Sequence, residues 1–169
     1  ILDVGLYPVS FSRLIAGVAT GRAFLNPYRV EGTATFGKTG VDEISFATLF
    51  FDNEIYAEAS TAITKNMANT ATVKGTEGSI TISNPWQPGK EGGPYESSII
   101  LNTETNQETI KIRGPEHLFY FEAELASKSI LEKRVEALPP AMTWEDTLGN
   151  LDVLDKWRAA IGYKLPQDI

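Results

Sequence analysis

A chain of 169 residues with 42% hydrophobic content is long enough to bury a core of its own. A formal net charge of −7 at pH 7 and a pI near 4.8 argue against nucleic acid or an anionic membrane as partner. With no cysteine and one histidine, His117, the chain excludes disulfides, thiolate zinc sites, cysteine nucleophiles and His–His metal sites within itself. No apolar run is long enough to span a bilayer, and no signal-peptide pattern is present. The lack of cysteine fits a reducing compartment, so a cytoplasmic location is expected. Because the sequence opens on Ile1, inside what reads as a structured element, we expect residues 1–169 to be one domain of a longer protein.

The first stretch carries the chemistry. Asp3, Gly5 and Tyr7 stand at alternate positions, so an extended Leu2–Tyr7 segment would turn the Asp3 carboxylate and the Tyr7 phenol toward one space. Gly5 between them leaves room for a backbone or a ligand. Pro8 suits the first turn of a helix, whose buried side is Val9, Leu14 and Ile15 with Phe11 and Val18 flanking, and Gly17 is its expected stop. The structural alternative is that Asp3 caps this helix and Tyr7 is a core aromatic with its hydroxyl at the surface.

After a connection over 20–27, residues 29–36 read as a strand and 37–40 as a turn. Residues 42–51 and 55–63 form a hairpin around Asp52-Asn53-Glu54, and 68–74 and 79–83 another around Gly75-Thr76-Glu77-Gly78. Residues 84–97, with Pro85, Pro88, Gly89, Gly92, Gly93 and Pro94, form the longest loop. Residues 98–102 and 108–112 complete a set of about seven strands with short connections, which favours antiparallel pairing. Pro115 opens a helix with Leu118, Phe121, Leu125 and Ile130 on or near one face, ending near Val135. Thr143 and Asp146 form a capping-box-like start for a last helix that carries Leu148, Leu151, Leu154, Trp157 and Ile161 and stops at Gly162. The expected class is α+β: a large, mostly antiparallel open sheet with helices packed on one face.

Other polar features are weaker. Gly32–Thr39 fits the phosphate-loop pattern Gly-x-x-x-x-Gly-Lys-Thr, but that loop needs a helix N-terminus directly after it, and Gly40 and a strand-like run follow instead. A P-loop nucleotidase is therefore a remote alternative. His117 reads as a cap, and Glu116, Glu122 and Glu124 as a solvated helix face. Trp86 and Tyr95 can line a sugar-sized pocket or anchor their loop, and Asn66, Met67 and Asn69 fall in a strand-like segment.

The run Leu2-Asp3-Val4-Gly5-Leu6-Tyr7-Pro8-Val9-Ser10 resembles the start of the C-terminal domain of the Gfo/Idh/MocA family of NAD(P)-dependent oxidoreductases. Two later stretches resemble the family in the right order: Val73–Ile80 its strand-turn-strand segment, and Met142–Asn150 the approach to its last helix. Tyr7, where many members have His, makes the chain most similar to the dihydrodiol dehydrogenase, xylose dehydrogenase and glucose–fructose oxidoreductase branches. The resemblance implies a substrate-binding and acid/base half of an enzyme that moves hydride between a nicotinamide and a sugar or related diol. It implies Tyr7 as the proton-transfer group and Asp3 as a hydrogen-bonding group that orients the substrate or an accompanying lysine. NAD or NADP would be held mainly by an N-terminal dinucleotide-binding domain absent from this chain, in which no Gly-x-Gly occurs. In the family a lysine of a Glu-Lys-Pro motif accompanies the tyrosine, and no Lys-Pro occurs here, so the fragment alone is expected to be inactive. The open sheet face is expected to make a homo-oligomer, a dimer joined face to face through the sheet. A non-catalytic sheet module for dimerisation or sugar binding is the alternative from another class.

Overall fold

The computed structural model describes residues 1–90, 95–114 and 116–168. The expected roles of Gly92, Gly93 and Pro94 in the long loop, and of Pro115 as helix opener, fall outside the described residues. The chain divides into two compact units, Ile1–Met67 with Leu138–Ile169, and Ala68–Ala137.

The first unit is a three-stranded antiparallel sheet with two helices. Its strands are β1 (Arg29–Phe36), β2 (Asp42–Phe50) and β3 (Tyr56–Ala62), in that spatial order. Its helices are α1 (Leu6–Ala19) and α3 (Trp144–Ala160). The β1–β2 ladder pairs Gly32 with Ala47, and the β2–β3 ladder pairs Ala47 with Ala59. That row of small residues lets α3 approach closely. A Cβ at Gly32 would stand 3.0 Å from Trp157 Cδ1, and the fully buried Trp157 indole donates to the Phe46 carbonyl at 3.2 Å. Leu49, Phe51, Val9, Val153 and Leu154 complete this core. The β2–β3 turn is made by Asn53 and Glu54, both at φ 60°.

Both helices end in the same way. Past α1, Gly21 (φ +71°) lets its N–H reach the Val18 carbonyl while Arg22 N–H reaches Gly17. Past α3, Gly162 (φ +71°) and Tyr163 bond to Ala159 and Arg158. These are the paired bonds of a Schellman ending. So α1 stops at Gly21 rather than at Gly17, which is buried inside the helix against the Phe24 backbone.

The second unit is a four-stranded antiparallel sheet, β4 (Thr70–Gly75), β5 (Gly78–Ser83), β6 (Tyr95–Thr103) and β7 (Gln107–Gly114), with α2 (Leu118–Leu131). Cross-strand rows Ala71–Ile82–Ile99–Ile110 and Val73–Ile80–Leu101 give it an apolar face. Helix α2 starts at a His117 cap, whose Nδ1 accepts from Phe119 N–H at 3.3 Å, as expected of that histidine. The α+β class and the antiparallel pairing hold, with the strands divided between two sheets where one large sheet was expected.

Three expectations about helix faces and segments need correction. The buried side of α1 is Val9, Arg13, Ala16 and Gly17, while Val18 is exposed. The buried side of α3 is Gly149, Asn150, Val153, Leu154 and Trp157, while Leu148 and Leu151 face solvent. In both helices polar residues occupy the inner line, so the apolar count alone pointed to the wrong stripe. Residues 66–69 are irregular and exposed, not a strand.

Candidate functional site

The opening segment is not extended. Ile1–Gly5 is a turn, closed by Gly5 N–H donating to the Ile1 carbonyl at 2.9 Å, and Val9 N–H continues it onto the Gly5 carbonyl at 3.3 Å. Asp3 therefore lies in a turn and Tyr7 in the first turn of α1, so the two belong to a turn-to-helix start rather than to an extended strand. Gly5 leaves room for a backbone: a Cβ there would stand 2.4 Å from the Ile1 carbonyl oxygen.

Neither structural alternative for the pair holds. The N-cap of α1 is Gly5 in a helical conformation, with no side-chain cap bond, so Asp3 is not the cap. Tyr7 is 51% exposed, so its ring is not in the core. Asp3 is exposed too, so a carboxylate in the opening turn and a phenol in the first turn of α1 both meet solvent.

This edge is held at two points. The Ile1 nitrogen donates to Asp42 Oδ2 at 2.6 Å, and Ser45 Oγ donates to the same oxygen at 2.6 Å, which fastens the turn to the start of β2. Two turns into α1, Arg13 is tied to Asp146 and Asn150 of α3 and to Asn26. Sequence reasoning missed this cluster. The available signal was a charged residue four positions after Val9, in line with the apolar stripe, together with Asp146 and Asn150 four apart on α3.

Other candidates resolve as structural. Gly32–Thr39 spans β1 and the β1–β2 turn, and β2 follows it, so no helix N-terminus is present to hold a phosphate. Tyr95 anchors its loop: a Cβ at Gly89 or Gly114 would stand 2.5 or 2.2 Å from its ring. Glu116, Glu122 and Glu124 are exposed. Among the described residues no group of His, Asp and Glu could hold a metal ion, and no helix is long and apolar enough to cross a membrane.

The outer face of the three-stranded sheet carries a shallow hollow of about 610 Å³, lined by Glu31, Thr33, Phe46, Thr48, Glu58 and Ser60. It opens broadly to solvent and does not include Asp3 or Tyr7. A small-molecule site encloses its ligand, which this broad hollow does not.

No family model matches the chain. Trans-1,2-dihydrobenzene-1,2-diol dehydrogenase from Mus musculus is 26% identical over 174 residues, which cover 99% of this chain and 47% of that protein. The Macaca fascicularis enzyme of the same name is 28% identical over 171 residues, with 99% and 48% covered. The chain thus spans about half the length of the curated relatives it matches. A 3-ketoreductase from Actinomadura kijaniata, solved in complex with NADP and TDP-benzene, superposes with a TM-score of 0.71 at 17% identity over 95% of this chain and 45% of its own. UDP-N-acetylglucosamine 3-dehydrogenase from Acidithiobacillus ferrooxidans gives 0.66 at 13% identity, covering 95% and 48%. The likeness to the Gfo/Idh/MocA oxidoreductases that three short motifs carry is therefore borne out along 99% of the chain, with dihydrodiol dehydrogenases as its sequence relatives.

Proposed function

We propose that this chain is the substrate-binding and acid/base half of an NAD(P)-dependent oxidoreductase acting on a sugar or related diol, as the C-terminal domain of a longer cytoplasmic protein. The observation that carries this reading is the exposure of both Asp3 and Tyr7 at the turn that leads into α1, in a chain similar from end to end to dihydrodiol dehydrogenases.

The described residues do not fit the dinucleotide itself, since none forms a glycine-rich turn leading from a strand into a helix. We assign cofactor binding to the part of the protein outside this chain. A bound nicotinamide supplies the hydride chemistry; this chain manages the proton. Tyr7 Oη is placed to exchange a proton with the reacting oxygen of the substrate. A phenol ordinarily titrates near pH 10, so a neighbouring cation from outside the chain would bring it closer to neutrality. Asp3 accepts a hydrogen bond from a substrate hydroxyl or from that cation and so fixes the approach.

Tyr7→Phe removes the hydroxyl and keeps the ring. In the full-length protein we expect kcat to fall about 10²- to 10⁴-fold, as for other general acid–base groups, with cofactor affinity unchanged and a flatter pH profile. A kcat within a few-fold of the parent would make Tyr7 a packing residue. The outer sheet face supports a second reading, a non-catalytic module for dimerisation or sugar binding, and the same result would favour it.

A further inference from the structure

Arg13 stands where an aliphatic residue is expected. It lies in the middle of the buried stripe of α1, and its side chain is wholly buried. Helix α3 gathers its guanidinium. Nη1 donates to the Asp146 backbone carbonyl at 3.0 Å, to the Asp146 carboxylate, and to Asn150 Oδ1 at 2.5 Å. Nε donates to Asn26 Oδ1 at 2.9 Å, and the Phe24 ring lies 4.8 Å from Cζ. Gly149 makes the space, since a Cβ there would stand 2.0 Å from Nη2. Nη2 itself has no hydrogen-bond partner among the described residues. Burial pushes the Arg13 pKa down from its usual value, and the hydrogen bond and charge of Asp146 push it back up.

As a source of stability this cluster is poor. Hydrophobic residues of similar volume often serve as well or better, because two charges need not be stripped of water. Its distinctive property is direction. A guanidinium fork with acceptors on two sides admits one rotation of α1 against α3, where an apolar stripe tolerates several.

We infer that Arg13, Asp146 and Asn150 are positioning residues for Tyr7: they set the rotation of α1 about its axis and thereby the place of the Tyr7 hydroxyl. This rests on the reading of Tyr7 as the proton-transfer group. The lever is long. Tyr7 is six residues from Arg13, about 9 Å along the helix, and its hydroxyl stands roughly 8 Å from the helix axis. A turn of about 10° would carry that oxygen about 1.4 Å, and a misplacement near 1 Å can cost about 10²-fold in rate.

The test is a double-mutant cycle in the full-length enzyme. Arg13→Met with Asp146→Leu removes both charges together and leaves none stranded in the core. We expect kcat to fall about 10- to 100-fold, with KM for NADPH and the melting temperature near the parent's. Made in a Tyr7→Phe background, the same pair should change kcat less than about twofold, since the lever then moves nothing catalytic. Arg13→Lys, which keeps the charge and loses the fork, should repeat the pattern and serves if the double variant does not fold. An unchanged kcat in the Tyr7 parent, or an equal loss with and without the Tyr7 hydroxyl, overturns the inference. If Tyr7→Phe alone leaves kcat intact, the reading of Tyr7 has failed, and the inference falls with it.

Discussion

Glu96 shows how little an exposed ion pair says about stability and how clearly it can be read by titration. Its two carboxylate oxygens accept from Lys111 Nζ at 2.9 Å and Arg113 Nε at 3.0 Å. The hydrogen bond from Lys111, then that from Arg113, holds its carboxyl below the ordinary range. Because the folded value is depressed, the pair's contribution is present at neutral pH and is lost as pH falls through that lowered value. Exposure and salt keep the contribution small. Lys111→Met should move the Glu96 midpoint upward in a carboxyl-detected NMR titration while leaving thermal stability nearly unchanged; a midpoint that stays put would mean the crossing bond from Lys111 is not made in solution. Tyr7 and Arg13 differ from Glu96 in being attached to a packed helix, which is why changes there are expected to appear in rate.

At the scale of elements, close approach outranks propensity. Alanine inside a helix gains up to about 1 kcal/mol over glycine. Gly17 nevertheless has the Phe24 Cα 2.3 Å from where a Cβ would sit, and that neighbour is backbone. Overpacking of this kind costs about 1–3 kcal/mol, so Gly17→Ala should lower the unfolding free energy by about 1–2 kcal/mol in urea denaturation. A stabilised variant would show that the α1 ending is loose. The same competition explains what the sequence disclosed. Strand β1 and the hairpin turns were legible because turn chemistry and β-rich runs act locally. The start of α1 was misjudged because Asp3-x-Gly5-x-Tyr7 alternates, while the Ile1 carbonyl, four residues back, decides the winding. The inner lines of α1 and α3 were misjudged because Arg13 and Asn150 are buried polar residues that bond to each other, with half-buried Asp146 beside them. Asp3 and Tyr7 were singled out by motif resemblance; the turn and helix start in which they lie were not legible from it.

For the whole molecule, the open side of the three-stranded sheet is where association is expected and can be tested. Phe46 is 47% exposed there, flanked in register by Thr33 and Ser60, with Arg29 stacked 3.8 Å over the Phe50 ring nearby. Its opposite side is closed by α3, so this is the side left to meet a partner. An exposed aromatic with a polar rim suits contact with a second copy. We expect the full-length protein to sediment as a dimer, and Phe46→Glu to shift it toward monomer at micromolar concentration without lowering its melting temperature. A dimer unaffected by that change would place the contact elsewhere.

The seat of Trp157 has an optical consequence. Its indole is sealed against Gly32 and spends its N–H on the Phe46 carbonyl, so it should emit in the blue and resist iodide. Trp144, at the start of the same helix, is 63% exposed and should emit in the red and be quenched. The second unit contains only Trp86. In a Trp86→Phe background the blue component of the intrinsic fluorescence is therefore a label for the α3-on-sheet contact, and its loss during unfolding times the moment at which that helix leaves the sheet.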